Sequence, residues 1–366
     1  MKKKRILFII WSYTYGGGAE KVLSNLVNKL SLDKYEIDIL EYWHSNIKRE
    51  KTAKEINLLK PVVDSTKASK LEKIIKKILL ERFPYILRKL YIKKKYDYEI
   101  SWNSMIPTFL LDKNGKTISW NHGSLYDLSN KEKDQQKKSF EHIKKIVAIS
   151  QKTYNSIIEL YPMYKDKTYI INNSFDFNDI IKLSEEVNVK KPQKHILLFV
   201  GRLDKNKNPL FLIEVAKKLN NQKIDFELWL IGTGELEDKL KEAIKNYNLD
   251  NIKILGYKKN PYPYFKIADL ILLSSYSEGF PTVIAEGLVF GKPFVSTDVG
   301  GTLEMSANGR CGKITNDLDE YVKNIKEILS NKELYKKMSE EGKKHIKKFT
   351  YKNQIKKLEH LFEELD

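Results

Sequence analysis

Two carboxylates stand eight residues apart in the stretch SEGFPTVIAEG (277–287), Glu278 before a Phe-Pro step and Glu286 inside an apolar run. The chain has 66 Lys and Arg against 48 Asp and Glu, so acidic residues kept in an otherwise uncharged segment ask for a partner. Pro281 suits the first position of a helix, because its missing N–H had no intrahelical acceptor to lose. The N–H groups of Thr282 and Val283 behind it, with the positive end of the helix dipole, then form an anion site. A carboxylate beside a bound phosphate is repelled by it. Glu278 and Glu286 are therefore expected to meet hydroxyls, as on a sugar, of a ligand whose phosphate lies elsewhere. A capped surface helix with two solvated glutamates is the plainer alternative.

The cations that such a phosphate needs stand upstream, in VGRLDKNKNP (200–209). Gly201 lets the chain turn sharply after a strand, and Arg202 and Lys207 can reach back over the strand end. Arginine grips two phosphate oxygens at once and lysine adds a point charge, which suits a diphosphate leaving group whose charge grows as its bond to a sugar breaks. Lys205 and Lys207 could equally be solvated loop charges. Gly232 and Gly234 flank Thr233 in IGTGELE, which read alone is ordinary turn chemistry. In YGGGAEKV, Gly16, Gly17 and Gly18 fill the first strand-to-helix turn; this is not G-x-G-x-x-G, but it is a place where backbone can approach a ligand closely. His122, in SWNHGSLYD, ends another strand, and a lone histidine there is either a ligand contact or a structural polar group. Asp317 and Asp319 form an Asp-x-Asp directly before a helical stretch, where a cap is the expected role and a metal site the lesser one.

Positioning these residues takes a repeated strand-and-helix pattern. Apolar runs of strand length, RILFIIW (5–11), EIDILEY (36–42), YEISW (98–102), KTISWN (116–121), KIVAIS (145–150) and TYIINN (168–173), alternate with segments of helical period. The second half repeats the theme with HILLFV (195–200), FELWLI (226–231), IKILGY (252–257), LILLSS (270–275) and PFVST (293–297). This alternation predicts parallel sheets covered by helices, and at 366 residues two domains are expected. The polar stretch SEEVNVKKPQK (184–194) reads as the linker, and the last segment, from about 331 to 365, reads as helix. We expect two doubly wound domains facing each other across a cleft, with the candidate residues at the carboxyl ends of the strands.

The bulk composition narrows the class. The net charge is +18, with 36 basic and 23 acidic residues in 1–190 and 30 and 25 in the rest. Such an excess attracts nucleic acid, anionic lipid or phosphorylated small molecules alike. No basic stripe interleaved with aromatics supports nucleic acid. Cys311 is the single cysteine, which excludes an internal disulfide or a thiolate zinc site. No apolar run approaches the roughly 18 residues of a membrane span, and ILFIIW near the start is read as the first strand. Residues 67–97 carry eleven basic and three acidic side chains, with Leu71, Ile74, Ile75, Ile78, Leu79, Phe83, Ile86, Leu87 and Leu90 at helical spacing and Pro84 dividing the stretch. The apolar stripe is expected to pack on the sheet, leaving the lysines free to meet an anionic membrane surface.

Four segments, GGGAEKV, VGRLDKNKNP, IGTGELE and SEGFPTVIAEGLVFGKPFVSTDVGG, together resemble the family-4 retaining glycosyltransferases of the GT-B fold, of the bacterial cell-surface polysaccharide type. The resemblance is densest between about 196 and 304, and the E-x7-E of Glu278 and Glu286 with the Gly-Arg and Lys segment upstream is its specific part. It implies an acceptor-binding domain over 1–183, a linker over 184–194, a nucleotide-sugar domain over 195–345 and a helix over 346–366 that crosses back to the first domain. By the same resemblance Arg202 and Lys207 hold the donor diphosphate, Glu286 the ribose hydroxyls, and Glu278, with the amides of Gly279 and Phe280, the donor sugar. Gly17 and Gly18 approach the diphosphate from the other domain, His122 stands by sugar and acceptor, and the base lies near Gly256 and Tyr257. The implied reaction moves a hexose-type sugar from a nucleotide-sugar, UDP-linked before GDP-linked, to a saccharide or lipid-linked hydroxyl with retention and without a metal. It implies a cytoplasmic protein, docked or not on the inner face of the plasma membrane. A nucleotide-sugar epimerase or hydrolase on the same scaffold, or a non-catalytic partner subunit, are the alternatives.

Overall fold

The computed structural model describes residues 2–366 apart from 14–17, 46, 48, 103 and 104, so Gly17 lies outside the described residues. The chain divides into two compact units, Met1–Ser174 with Phe349–Asp366, and Phe175–Lys348. Each is built on a parallel sheet. In the first unit seven strands run in the spatial order Asn57–Leu58, Tyr35–Glu41, Lys4–Ile10, Tyr98–Ser101, Thr117–Asn121, Lys145–Ala148, Thr168–Ile170. In the second, six run in the order Ile252–Gly256, Phe226–Ile231, His195–Val200, Leu270–Leu273, Phe294–Ser296, Gly312–Ile314. All eleven strands read from the sequence are present. The ones not anticipated, such as Asn57–Leu58 and Gly312–Ile314, are two or three residues long and too short to carry a pattern.

These runs become central strands because helices cover both faces. Ile6 to Ile10 and Ile196 to Phe199 are all inaccessible to solvent, as expected of strands without a polar face. The intervening helices start on side-chain caps. Ser150 accepts from the Thr153 amide, Asp176 from Asp179 and Asn331 from Leu334. Asp317 does the same for Glu320 at 2.8 Å, and Asp319 pairs with Lys218 at 2.6 Å, so the Asp-x-Asp is a helix start.

The division between units falls at residues 174 and 175, ahead of the polar stretch read as a linker. That stretch is tied into the second unit. Asn260 Nδ2 donates to Glu186 Oε2 at 3.0 Å, and Lys266 and Lys191 pair with Glu185 and Asp269 at 2.7 and 2.6 Å. Polarity there reflects ion pairing with a folded surface. At the other end, the helix Lys332–His345 gives way to a short 3-10 turn, Ile346–Lys348, and the helix Tyr351–Glu363 belongs to the first unit. It is held there by Phe362 stacked on Tyr98 at 3.9 Å, by Gln354 Nε2 donating to the Asn172 carbonyl, and by Asp366, whose Oδ1 accepts from Tyr98 and Lys116 at 2.7 Å each.

One expectation fails in the first unit. The helices Lys70–Arg82 and Pro84–Tyr91 form, with Ser69 as cap and Pro84 at the break, but of their predicted apolar stripe Leu79 and Leu87 pack into the core and most of the rest does not. Leu80 and Leu87 alone are fully buried within the two helices, while Leu71, Ile74, Ile75 and Ile78 face solvent. Among the described residues no helix is long and apolar enough to cross a membrane.

Candidate active site

In the second sheet the chain moves to one side from His195–Val200 through Phe226–Ile231 to Ile252–Gly256, and to the other from Leu270–Leu273 through Phe294–Ser296 to Gly312–Ile314. The direction reverses between His195–Val200 and Leu270–Leu273. Loops leaving the carboxyl ends of two such strands part to opposite faces, which opens a crevice where ligands bind in doubly wound sheets. The loop 201–208 follows the first strand and the loop 274–281 the second. Gly201, Arg202, Lys207, Glu278, Gly279, Phe280, Pro281, Thr282, Val283 and Glu286 all belong to this end of the sheet.

Four polar contacts join the two loops. The Tyr276 amide donates to the Asn206 carbonyl at 2.8 Å, Asn206 Nδ2 donates to the Ser277 carbonyl at 3.1 Å, and Ser274 Oγ donates to the Lys207 carbonyl at 2.9 Å. The fourth is an ion pair, Lys207 Nζ to Glu278 Oε1 at 2.5 Å, with only 20% and 14% of the two side chains exposed. Ser275 Oγ donates to the same Oε1 at 2.7 Å. Oε2 of Glu278 accepts nothing among the described residues and is left for a donor from outside. Lysine carries three N–H donors, so two remain on Lys207.

Arg202 is held differently. Its guanidinium reaches Asp204 Oδ2 at 3.0 Å with 73% of the side chain exposed, and Asp204 Oδ1 accepts from the Lys207 amide at 2.9 Å. One carboxylate thus steers the arginine and fixes the turn that carries the lysine. An exposed pair of this kind contributes at most about 1 kcal/mol, so a bound anion can draw Arg202 away at little cost. Arg202 and Asp204, with Lys205, Asn206, Thr233, Gly234 and Glu235, line a cleft of about 370 Å³; Lys207, Glu278 and Glu286 are not among its walls.

Glycines set these loops against one another. A Cβ on Gly232, whose φ is +142°, would stand 1.8 Å from the Gly201 carbonyl oxygen, and one on Gly234 would stand 2.4 Å from that of Leu203. Without side chains there, Leu203 N donates to Thr233 O at 2.9 Å and Leu236 N to Leu203 O at 2.8 Å. The turn IGTGELE is therefore the back wall of the Arg202 loop. Gly300, at φ +45°, lies against the carbonyls of Glu278 and Gly279, and Gly301 against the Phe280 ring. Phe280 is buried and stacks on Phe175 at 6.3 Å, so its side chain anchors the loop whose backbone carries the candidate amides.

The helix Thr282–Val289 begins after Pro281, which is its cap residue and not its first turn as expected from the sequence. Glu286 is partly buried on it. The helix closes at Gly291, φ +67°, with Lys292 N donating to Gly287 O and Gly291 N to Leu288 O, a glycine-terminated ending. A Cβ on Gly287 would meet Ile271 Cγ1 at 2.4 Å, so the helix rides close on the strand that aims it. Gly256, at φ +68°, ends the edge strand Ile252–Gly256 and accepts from the Gly232 amide at 3.0 Å, and Tyr257 beside it is 66% exposed.

In the first unit the corresponding reversal lies between Lys4–Ile10 and Tyr98–Ser101. Gly18 opens the helix Gly18–Lys29 with nothing near a Cβ placed on it. Trp102 Nε1 donates to the Ala19 carbonyl at 2.9 Å, pinning that helix start to the end of the neighbouring strand. His122 follows Thr117–Asn121, with its ring 4.9 Å from Trp102. Its Nε2 is buried and has no partner among the described residues, and burial pushes its pKa down to about 3. The imidazole is neutral under physiological conditions and able to accept or donate one hydrogen bond.

Sequence reasoning did not reach Asp204, Ser275, Gly300 or Gly301. The two glycines lie inside the quoted STDVGG but have no chemistry of their own to announce them. Asp204 and Ser275 matter only because the fold folds them back onto Arg202, Lys207 and Glu278.

Residues 181–345 match the model of the family described as glycosyl transferases group 1. An uncharacterized glycosyltransferase of Methanocaldococcus jannaschii is 31% identical over 214 residues, which is 53% of this chain and 52% of the relative. The N-acetylgalactosamine-N,N'-diacetylbacillosaminyl-diphospho-undecaprenol 4-alpha-N-acetylgalactosaminyltransferase of Campylobacter jejuni is 29% identical over 209 residues, 56% of each chain. The chain thus spans about half the length of these curated relatives. Among solved structures, Anabaena HepE in complex with UDP matches with a TM-score of 0.75 at 18% identity, over 98% of this chain and 100% of that one. That likeness gives this chain the GT-B fold.

Proposed function

We propose that the protein is a retaining, metal-independent glycosyltransferase, on the premise that residues 181–345, which match the model of the glycosyl transferases group 1, carry that family's chemistry. It moves a hexose-type sugar from a nucleotide-sugar, UDP-linked in the first instance, to a hydroxyl of a saccharide or lipid-linked acceptor in cell-surface glycan synthesis. One observation carries the reading: a cation pair, Arg202 and Lys207, and an acid with a free oxygen, Glu278, gathered by Asp204 and Ser275 where the second sheet reverses direction. The UDP named for the HepE structure and the lipid-linked saccharide named for the Campylobacter relative support the choice of donor and acceptor class.

In this reaction the acceptor oxygen bonds to the anomeric carbon as the bond from that carbon to the phosphate oxygen breaks. The electron pair leaves with the nucleoside diphosphate, and the acceptor proton passes to the departing phosphate oxygen. Negative charge grows on the diphosphate, and Arg202 with the two remaining N–H donors of Lys207 is the group that stabilises it. Glu278 is already bound through Oε1 to Lys207 and Ser275, which suits it to orient a sugar hydroxyl through Oε2 more than to attack carbon. Glu286 addresses the ribose, Gly256 and Tyr257 the base, and the amides of Gly279, Phe280, Thr282 and Val283 the oxygens nearby. Among the described residues no three His, Cys, Asp or Glu side chains gather into a cation site, and the scheme uses none.

The test is a panel of labelled nucleotide-sugars with a bacterial lipid extract, run with the wild-type chain and with Arg202→Ala. Because Arg202 is a surface side chain, the variant should melt like the wild type and lose on the order of 100-fold in turnover. Near-normal turnover in the variant overturns the assignment of the leaving-group site.

A further inference from the structure

The helical pair 70–91 is apolar on two sides, one buried and one exposed. A helix on a protein surface ordinarily turns its apolar stripe to the core and its lysines to water. Here Leu71, Ile74, Ile75 and Ile78, spaced to share one face of the helix Lys70–Arg82, are 66%, 47%, 46% and 47% exposed. At and beyond the Pro84 break, Phe83, Tyr85 and Leu90 are 45%, 65% and 56% exposed. The inward side puts Leu80 and Leu87 into the core, with Leu79 and Tyr91 packed against it, and is tied down by polar contacts as well. Lys73 Nζ donates to the Ser65 carbonyl at 3.0 Å and lies over the Trp43 ring, and Lys76 pairs with Glu72 and lies 5.5 Å from the Tyr91 ring centre. Arg88 grips Glu99 with both terminal nitrogens, at 2.8 and 2.6 Å, and donates to the Leu110 carbonyl at 2.9 Å. Glu99 is buried, so this fork fastens the pair to the sheet through charge.

Such fastening lets the apolar face be given up to something else. The cations left outside say what that is. Lys70, Lys77, Arg82, Lys89 and Lys95 are exposed and make no ion pair among the described residues, while Glu81 is the exposed carboxylate on the same two helices not already taken by a lysine. A stripe of leucine and isoleucine bordered by unpaired cations is complementary to one kind of surface: acyl chains beneath negatively charged headgroups. We propose that the outward face of the helices Lys70–Arg82 and Pro84–Tyr91 docks on a membrane rich in anionic lipid, with Leu71, Ile74, Ile75 and Ile78 in the headgroup–acyl boundary. The stripe lies in the first unit and uses no residue of the candidate active site, so the docking stands or falls apart from the transfer reaction.

The experiment is flotation of the full chain with vesicles of phosphatidylcholine alone and of phosphatidylcholine with phosphatidylglycerol. The chain should float with the anionic vesicles, much less with the neutral ones, and less again as salt shortens the Debye length. Lys70→Gln with Lys77→Gln should lower the partition coefficient by about fivefold per lysine. Ile74→Ser with Ile78→Ser should lower it on the order of tenfold. All four positions are exposed, so melting temperature and circular dichroism should not move. The proposal is overturned if the wild type ignores anionic vesicles, or if both double variants float as it does. It is also overturned if light scattering finds a dimer that Ile74→Ser/Ile78→Ser dissociates, because a second copy then covers the stripe.

Discussion

Lys207 and Glu278 offer the sharpest perturbation, because the structure makes them one unit and the proposed reaction gives them two jobs. With 20% and 14% of their side chains exposed, they stand between a surface pair, at most about 1 kcal/mol, and a buried one, whose breaking costs about 3–5 kcal/mol. Lys207→Met keeps the aliphatic stem and leaves the Glu278 carboxylate with Ser275 as its sole donor. Glu278→Gln keeps the shape and leaves the ammonium uncompensated. Each should destabilise the Phe175–Lys348 unit by about 2 kcal/mol, on the order of 4–8 °C for a unit of this size. The double variant removes both charges and should lose no more than either single one, a coupling of about 2 kcal/mol. Hydrogen exchange under denaturant, read on peptides from His195–Val200 and Leu270–Leu273, reports this unit separately from the other. Turnover should behave otherwise. Lys207→Met removes a cation from the leaving group and should cost on the order of 100-fold, and adding Glu278→Gln should not restore it. Single-variant stability losses that add within about 0.5 kcal/mol would refute the idea that the pair is a preformed element.

Two further outcomes follow from the geometry. Gly234→Ala places a Cβ 2.4 Å from the Leu203 carbonyl oxygen and 2.8 Å from its nitrogen, so it must break the Leu203–Thr233 and Leu236–Leu203 hydrogen bonds. At about 1 kcal/mol each it should destabilise by about 2 kcal/mol and, by shifting Arg202, weaken UDP binding in calorimetry, whereas Gly123→Ala, with nothing near its Cβ, should leave melting unchanged. His122, with its pKa pushed down to about 3 by burial, binds a proton in the unfolded chain well before it does in the folded one. The stability from its neutral form is complete above about pH 6.5 and drains away toward about pH 3, so an acid melt series on His122→Gln should show a shallower decline than the wild type. An equal slope in both would mean that His122 is solvated.

Much of this was legible in the sequence for a definite reason. Strands buried on both faces are unbroken apolar runs, so HILLFV and LILLSS declare themselves, and the residues that follow them must sit at the sheet's carboxyl edge. Arg202 and Glu278 could be named because each follows such a run. What could not be read was how those loops close. Asp204 looks like any surface aspartate until the turn brings it to Arg202 and to the Lys207 amide. Gly300 and Gly301 act by being absent, leaving room for the carbonyls of Glu278 and Gly279 and for the Phe280 ring. The helices over 70–91 misled for the opposite reason. Helical spacing of apolar residues reveals a stripe but not which way it faces, and the inward anchors Ser65, Trp43, Glu99 and Leu110 come from other elements.

On the proposed function, the pairing of acids with cations also explains how a basic chain can be selective. Around the strand ends, Arg202 with Asp204 and Lys207 with Glu278 sum to no net charge. An inorganic anion entering there meets two cations already satisfied and two carboxylates that repel it, and it gains little. A ligand carrying both a diphosphate and hydroxyls changes the balance at each place: it draws the loosely held Arg202 off Asp204, takes the spare donors of Lys207, and gives a hydroxyl hydrogen to the unoccupied Oε2 of Glu278. The carboxylates cost affinity for phosphate alone and return it only to a molecule that brings donors at the right distance. In the proposed reaction Glu278 turns general attraction for anions into recognition of a glycosylated one.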